Sequence, residues 1–162
     1  MKSITILPMT DIELMQAALN EAHDAGEAGE VPIGAVIVRE GEIIARGQNR
    51  VLRDLDPTAH SEVVALRAAA TALGNYRLNG CTLYVTLEPC SMCAGAMIHA
   101  RVNRLVFATA DPKAGACGSV LNVLNHPQLN HQMAVETGVL ADEAAELLRS
   151  FFRERRELRQ PR

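Results

Sequence analysis

The chain has 162 residues (17.5 kDa), of which 48% are hydrophobic and 22% charged, and it carries a net charge of −3 at neutral pH. That balance excludes a disordered, collagen-like or mucin-like chain, and a chain of this length buries roughly 70% of its unfolded surface without needing disulfides. Aromatics are 3% with no Trp, which excludes the broad stacking platform of a general single-strand binder, and mild acidity taken alone argues against a nucleic-acid partner.

No linker, repeat or low-complexity tract interrupts residues 1–162, so a single domain is expected, with its core over about residues 10–157. The apolar run Ile4 to Leu7 is too short for a signal segment, and no run approaches the roughly 18 apolar residues of a membrane span. A cytoplasmic protein is expected, in which four cysteines are thiols or metal ligands before they are a disulfide framework.

Thr10 and Glu13 have capping-box spacing, and Met15, Ala18, Leu19, Ala22 and Ala25 form the apolar stripe of an amphipathic first helix. Ile33 to Arg39 and Glu42 to Gln48 read as two strands of a hairpin turning at Glu40-Gly41. From about Thr58 to Leu73 the pattern predicts a helix that is apolar on most faces and therefore buried. Cys81 to Leu87 alternates as a strand, Ser91 to Ala100 is a short Ala/Met helix, and Arg104 to Thr109 is a further strand. Strand, helix and strand in that order form a βαβ unit with parallel strands. A Gly-, Asn- and Pro-rich loop (Asp111 to Asn130) leads to a weak strand at Met133 to Thr137 and a last helix from about Asp142. The order of elements points to a mixed sheet with helices on both faces.

Two strings carry chemistry: His60-Ser61-Glu62 and Pro89-Cys90-Ser91-Met92-Cys93. Alone, Cys-x-x-Cys between a strand and a helix fits a redox pair, a metal site or neither, because a helix N-terminus stabilises a thiolate in any case. A closed structural zinc site wants four ligands, and Cys81 and Cys117 do not form a second pair. His60 shifts the balance. It stands at the entry of one helix while Cys90 and Cys93 open another, so one imidazole and two thiolates can meet at a metal with a fourth position free. Residues two apart on a helix point about 200° from each other, so Glu62 is expected as acid/base beside the metal and not as a ligand. H-x-E followed by P-C-x-x-C is the signature of zinc-dependent nucleobase deaminases.

On these motifs the sequence resembles the bacterial tRNA-specific adenosine deaminases that make wobble inosine. Further matching stretches are Val31 to Val36, Gly47 to Arg50, Asp56 to Glu62, Asn75 to Leu78, Leu83 to Met97, Asp111 to Gly115 and Phe151 to Arg156. Ser61 departs from the His-Ala-Glu usual in that family. The resemblance implies a cytidine-deaminase-like three-layer α/β/α sandwich with a mixed five-stranded sheet, and a homodimer with one Zn²⁺ per subunit. The implied substrate is the wobble adenosine in the anticodon stem-loop of a tRNA, typically an arginine acceptor. His60, Cys90 and Cys93 would hold the metal. Glu62 would move the proton from the attacking water to the ring, and Asn49 and Val31 would line the base pocket. Asp111 and Lys113 would meet the neighbouring nucleotides, and Arg153, Arg155 and Arg156 would grip phosphate.

The charge pattern agrees once it is resolved along the chain. Residues 149–162 hold six Arg against Glu154 and Glu157, whereas residues 1–38 hold Lys2 against six acids. Of the 16 basic residues only Lys2 and Lys113 are lysines, and arginine is the better fork for phosphate and stacks on bases. A solvated helix end, with Arg153 paired to Glu157, is the plainer reading of the same cluster. His99 is expected in the core or an interface, His23 at the surface, His126 and His131 in turn or capping roles, and Cys81 in the core. The alternatives are a zinc-dependent deaminase of a free base or nucleoside and, more remotely, a non-enzymatic zinc or redox interaction domain.

Overall fold

The structure, a computed structural model, describes residues 7–159. Lys2, most of the Ile4 to Leu7 run, and Arg162 lie outside them. The elements are α1 (Asp11–Glu27), β1 (Gly34–Arg39), β2 (Glu42–Gln48), α2 (Ser61–Leu73), β3 (Cys81–Leu87), α3 (Ser91–His99), β4 (Arg104–Thr109), β5 (Ala134–Thr137) and α4 (Ala141–Arg159). The strands form one mixed sheet in the order β2-β1-β3-β4-β5. β1 is antiparallel to both β2 and β3, and β3, β4 and β5 run parallel.

The hairpin turns where both Glu40 (φ 52°) and Gly41 (φ 79°) take positive φ, the requirement of a type I′ turn. Side-chain alternation then divides the core in two. Ala35, Ile37, Leu83, Val85, Leu105 and Phe107 face α2 and α3, whereas Val36, Val38, Tyr84, Val106 and Ala108 face α1 and α4. β1 is consequently apolar at successive positions, as a strand covered on both faces must be. The result is the expected three-layer α/β/α sandwich.

The N-terminus of α1 is capped as its spacing predicts, Glu13 N–H donating to Thr10 Oγ1 at 3.2 Å, and its five stripe residues are all buried. At the sheet edge opposite the helix entries of α2 and α3, Arg104 bonds Asp11, Tyr84 and Glu136, tying α1, β3, β4 and β5 together. Two glycines let the helices approach the sheet. A Cβ at Gly34 would collide with the α1 backbone at Ala18 and Ala22, and a Cβ at Gly47 with the α2 backbone at Ser61 and Ala65. Among the described residues no helix is long and apolar enough to cross a membrane.

Three expectations need correction. α2 is buried along one stripe (Ser61, Glu62, Ala65, Leu66, Ala69), while Val63 and Val64 are half-buried and Ala68 is exposed, because the helix covers the sheet on one side only. His99, at the last turn of α3, is exposed in the single chain and so is not a core residue. Arg153 turns back to Glu146 at 3.9 Å instead of reaching Glu157.

Candidate active site

N-cap positions usually hold Ser, Thr, Asp or Asn, whose side chains accept a hydrogen bond from the first helical turn. Here His60 is the N-cap of α2 (φ −67°, ψ 153°) and Cys90 the N-cap of α3 (φ −75°, ψ 176°), and neither side chain caps its helix. Both turn toward each other instead. His60 Nδ1 lies 3.6 Å from Cys90 Sγ and 3.5 Å from Cys93 Sγ, the latter in the first turn of α3. One ligand atom from each of the three residues lies within 4.8 Å of the others. Glu62 is not part of that trio. The extended backbone at His60 removes the helical phase between positions 60 and 62, so the imidazole and the carboxylate serve one site in different ways.

The environment of the site sets the proton affinities. Cys90 accepts hydrogen bonds from the Cys93 and His60 side chains at a helix N-terminus, which draws its thiol down to about 3. Cys93 is pushed up, because its thiol donates to Cys90 and is buried. The hydrogen bond with Cys90 raises His60. Glu62 is 4% exposed, and this burial pushes its carboxyl up, against the opposing hydrogen bonds of its own backbone and Ser61. A carboxyl with raised proton affinity suits an acid/base that must both take and return a proton near neutrality. The Ser61 hydroxyl donates to Glu62 Oε2 at 3.1 Å, so the departure from His-Ala-Glu falls directly on this carboxylate.

The remaining predicted residues, Val31, Asn49, Asp111, Lys113, Arg153, Arg155 and Arg156, all line one cleft of about 1170 Å³. The cleft is bounded by the α1–β1 loop, the segment after β2, the segment after β4 and the basic half of α4. It does not include His60, Glu62 or the two cysteines. What joins cleft and trio is the 111–119 segment. Asp111 lines the cleft, and Cys117 Sγ lies 3.8 Å from Pro89 O, next to Cys90. Asn49 is buried and bridges two loops, donating to Val31 O and accepting from Val51 N–H, both at 3.3 Å. Arg155 is half-buried: it donates to Gly29 O at 2.9 Å and lies 4.8 Å from the Phe151 ring centre, anchoring α4 on the α1–β1 loop. Arg153 and Arg156 are exposed.

Two buried carboxylates escaped the sequence reading. Glu30 accepts from the Leu52 and Arg53 N–H groups and from Arg53 Nε. Glu88 accepts from the 111–119 segment. The sequence places each near a proline, in Glu30-Val31-Pro32 and Leu87-Glu88-Pro89, but nothing there names the partners. Of the other candidates, Cys81 is in the core and His23 is exposed. His126 Nδ1 accepts from Gln128 N–H in a turn, and a His131 ring nitrogen sits 2.7 Å from Val102 O.

A buried carboxyl beside a His-Cys-Cys trio, at two helix N-termini on an α/β/α sandwich, suits the chemistry of a hydrolytic deaminase. A profile of the MafB19-like deaminases matches residues 9–156. The tRNA-specific adenosine deaminase of Bacillus subtilis is 50% identical over 149 residues, covering 91% of this chain and 92% of that protein. That of Haemophilus influenzae is 48% identical, covering 91% of this chain and 86% of its own. A solved structure from work on A-to-I editing by tRNA:A34 deaminases superposes with a TM-score of 0.81 at 48% identity, covering 83% of this chain and 98% of that one. The guanine deaminase of Nitrosomonas europaea superposes at 0.75 with 27% identity, covering 92% and 88%. The chain therefore belongs to the MafB19-like deaminase family, and within it to the tRNA-specific adenosine deaminases.

Proposed function

We propose that the chain is a zinc-dependent hydrolytic deaminase that converts adenosine to inosine at the first anticodon position of a tRNA, with an arginine acceptor as the expected substrate. The observation that carries the reading is the burial of Glu62 beside His60, Cys90 and Cys93. What supports zinc is the donor set and its spacing. Bonds of about 2.0–2.1 Å to nitrogen and about 2.3 Å to sulfur at a tetrahedral angle put N and S about 3.6 Å apart, and the His60–Cys distances are 3.6 and 3.5 Å. His60, Cys90 and Cys93 would hold the ion, and zinc bound there supplies a Lewis acid that lowers the pKa of water.

The work of the chain's own residues follows from their places. Glu62 takes one proton from the attacking water and delivers it to the purine ring, and then moves the second, from the new C6 hydroxyl, to the amino group, so that ammonia leaves as C6 becomes a carbonyl. Burial favours the first transfer, because a raised proton affinity makes the carboxylate a better acceptor of a proton from water and brings its affinity closer to neutrality, where the proton can be passed on. Val31 and Asn49 line the entry to the base, Asp111 and Lys113 meet the flanking nucleotides, and Arg153, Arg155 and Arg156 offer guanidinium groups to the backbone. A homodimer with one zinc per subunit, in the cytoplasm, completes the reading and rests on the family resemblance.

The second reading, deamination of a free base, is favoured by the likeness to a guanine deaminase. A direct comparison separates the two. An anticodon stem-loop carrying adenosine at its first anticodon position should be turned over at a kcat/KM at least a hundredfold above that for free adenosine, cytosine or guanine. Rapid turnover of a free base with an inert stem-loop would reverse the choice.

A further inference from the structure

Glu88 stands between the end of β3 and Pro89-Cys90, is 3% exposed, and takes no part in the proton chemistry described above. Among the described residues no arginine or lysine pairs with it. Its partners come from a single segment. Oε1 accepts from Asp111 N–H at 3.2 Å and from the Ser119 hydroxyl, and Oε2 accepts from Cys117 N–H at 3.0 Å and Ser119 N–H at 3.2 Å. Buried charge without a counter-charge is costly unless hydrogen bonds replace its water, and bonds to an ionised acceptor are about twice as strong as neutral ones.

The segment is built around this carboxylate. Gly115 has no room for a Cβ, which would collide with the Glu88 carboxylate and Asp111 O. Pro89 O accepts from Ala116 N–H at 2.9 Å, adding a backbone tie beside the side-chain ones. Within the same segment Asp111 Oδ1 accepts from the N–H groups of Lys113 and Ala114 at 2.9 and 3.2 Å, so Asp111 and Lys113 are placed as one unit facing the cleft.

We infer that Glu88 is a positioning residue for substrate: by clamping residues 111–119 onto the turn that precedes Cys90, it presents Asp111 and Lys113 to the nucleotides beside the reacting base. The inference rests on the nucleic-acid reading of the cleft proposed above.

The test uses Glu88→Gln, whose amide places N–H groups where the segment's own N–H groups need an acceptor, together with Ser119→Ala at an exposed position, which removes the hydroxyl bond alone. In Glu88→Gln the KM for the anticodon stem-loop should rise about tenfold, with kcat within threefold of the parent and bound metal unchanged. Ser119→Ala should move KM the same way by about threefold, and Glu88→Asp should fall between Gln and the parent. Amide exchange at 111, 117 and 119 should quicken in Glu88→Gln while the sheet strands stay protected. An unchanged KM in both Glu88→Gln and Ser119→Ala overturns the inference, as does a fall in kcat together with metal loss, which would assign Glu88 to the metal turn. A parent enzyme inert on the stem-loop defeats the functional reading instead, and unchanged exchange at 111–119 would then still overturn the clamp.

Discussion

His60 Nδ1 and Cys93 Sγ, 33 positions apart in the chain, lie 3.5 Å from each other because two helices begin at the same edge of one sheet. Cys90, the N-cap of the second helix, completes the trio at 3.6 Å from the same nitrogen. In the proposed ligand set, removing one thiol leaves two ligands, too few to retain the ion. Cys90→Ser and Cys93→Ser should each lower bound metal from about one equivalent per chain to a small fraction, measured by elemental analysis after dialysis. Far-UV circular dichroism should keep its native shape, since the two hydrophobic clusters do not depend on the trio. Full metal retention in either variant would contradict the ligand set.

In the proposed mechanism Glu62 transfers protons and does not bind the metal, so its substitution should separate the two. In Glu62→Gln, turnover of the stem-loop should fall by about 10²–10⁴ with the metal content unchanged. Single-turnover assay and elemental analysis of the same preparation decide it. Turnover at parental rate would remove Glu62 from the mechanism.

The basic half of α4 makes a prediction about salt. Arg153 and Arg156 are exposed on the cleft, whereas Arg155 is held by Gly29 O and Phe151. The double variant Arg153→Ala/Arg156→Ala should bind the stem-loop more weakly, and its salt slope should flatten by about 0.7 for each single-strand phosphate that no longer meets an arginine. Fluorescence anisotropy across a range of ionic strength measures this. An unchanged slope would return both residues to the role of a solvated helix end. Arg155 is left out of the double variant because its loss would also release the helix.

Glu30 links stability to acid. Burial raises its proton affinity, but the N–H groups of Arg53 and Leu52 and the Arg53 guanidinium outweigh this and hold the carboxyl below its ordinary value. A lowered folded-state value stabilises the protein above the unfolded carboxylate range, near 4.3, and that contribution is lost as pH falls through the lowered value. Glu30→Gln should therefore cost about 1–3 kcal/mol at neutral pH, with the difference from the parent shrinking toward pH 3. Thermal melts at a series of pH values would show it. A pH-independent difference would mean that charge is not the source.

Gly47 sets how closely α2 approaches β2. Gly47→Ala forces the backbone at Ser61 and the whole of Ala65 to give way, at a cost of about 1–3 kcal/mol. His60 and Glu62 flank Ser61, so metal affinity should weaken along with the melting temperature. Gly95→Ala in α3 is the control, since nothing lies within 4 Å of a Cβ there. Equal effects from the two substitutions would dismiss close approach as the cause.

Much of this is legible in the amino-acid sequence alone. The alternation in Cys81 to Leu87 and the length and polarity of the hairpin strands located β3 and β2 to the residue, because pleat and turn chemistry are local. The stripe of α1 was legible for the same reason. α2 misled, because an apolar composition shows how much a helix can bury and not how many faces its neighbours cover. Arg153 misled too, since helical spacing permits a partner on either side and the geometry chose Glu146.

The candidate site divides in the same way. His-x-Glu and Cys-x-x-Cys are written in contiguous residues, and their spacing, the flanking proline and the helix entries are covalent facts that identify the chemistry by themselves. Glu30 and Glu88 are not marked in that way. Each is a single acid whose partners lie 22 to 31 residues away and are mostly backbone N–H groups, which every sequence contains and no motif records. The amino-acid sequence thus determined the elements and named the His, Cys and Glu residues of the candidate site. Only the tertiary structure decided that two N-cap side chains meet, that Glu62 is buried beside them, and that two carboxylates hold the walls of the cleft, because proximity between distant residues is created by packing.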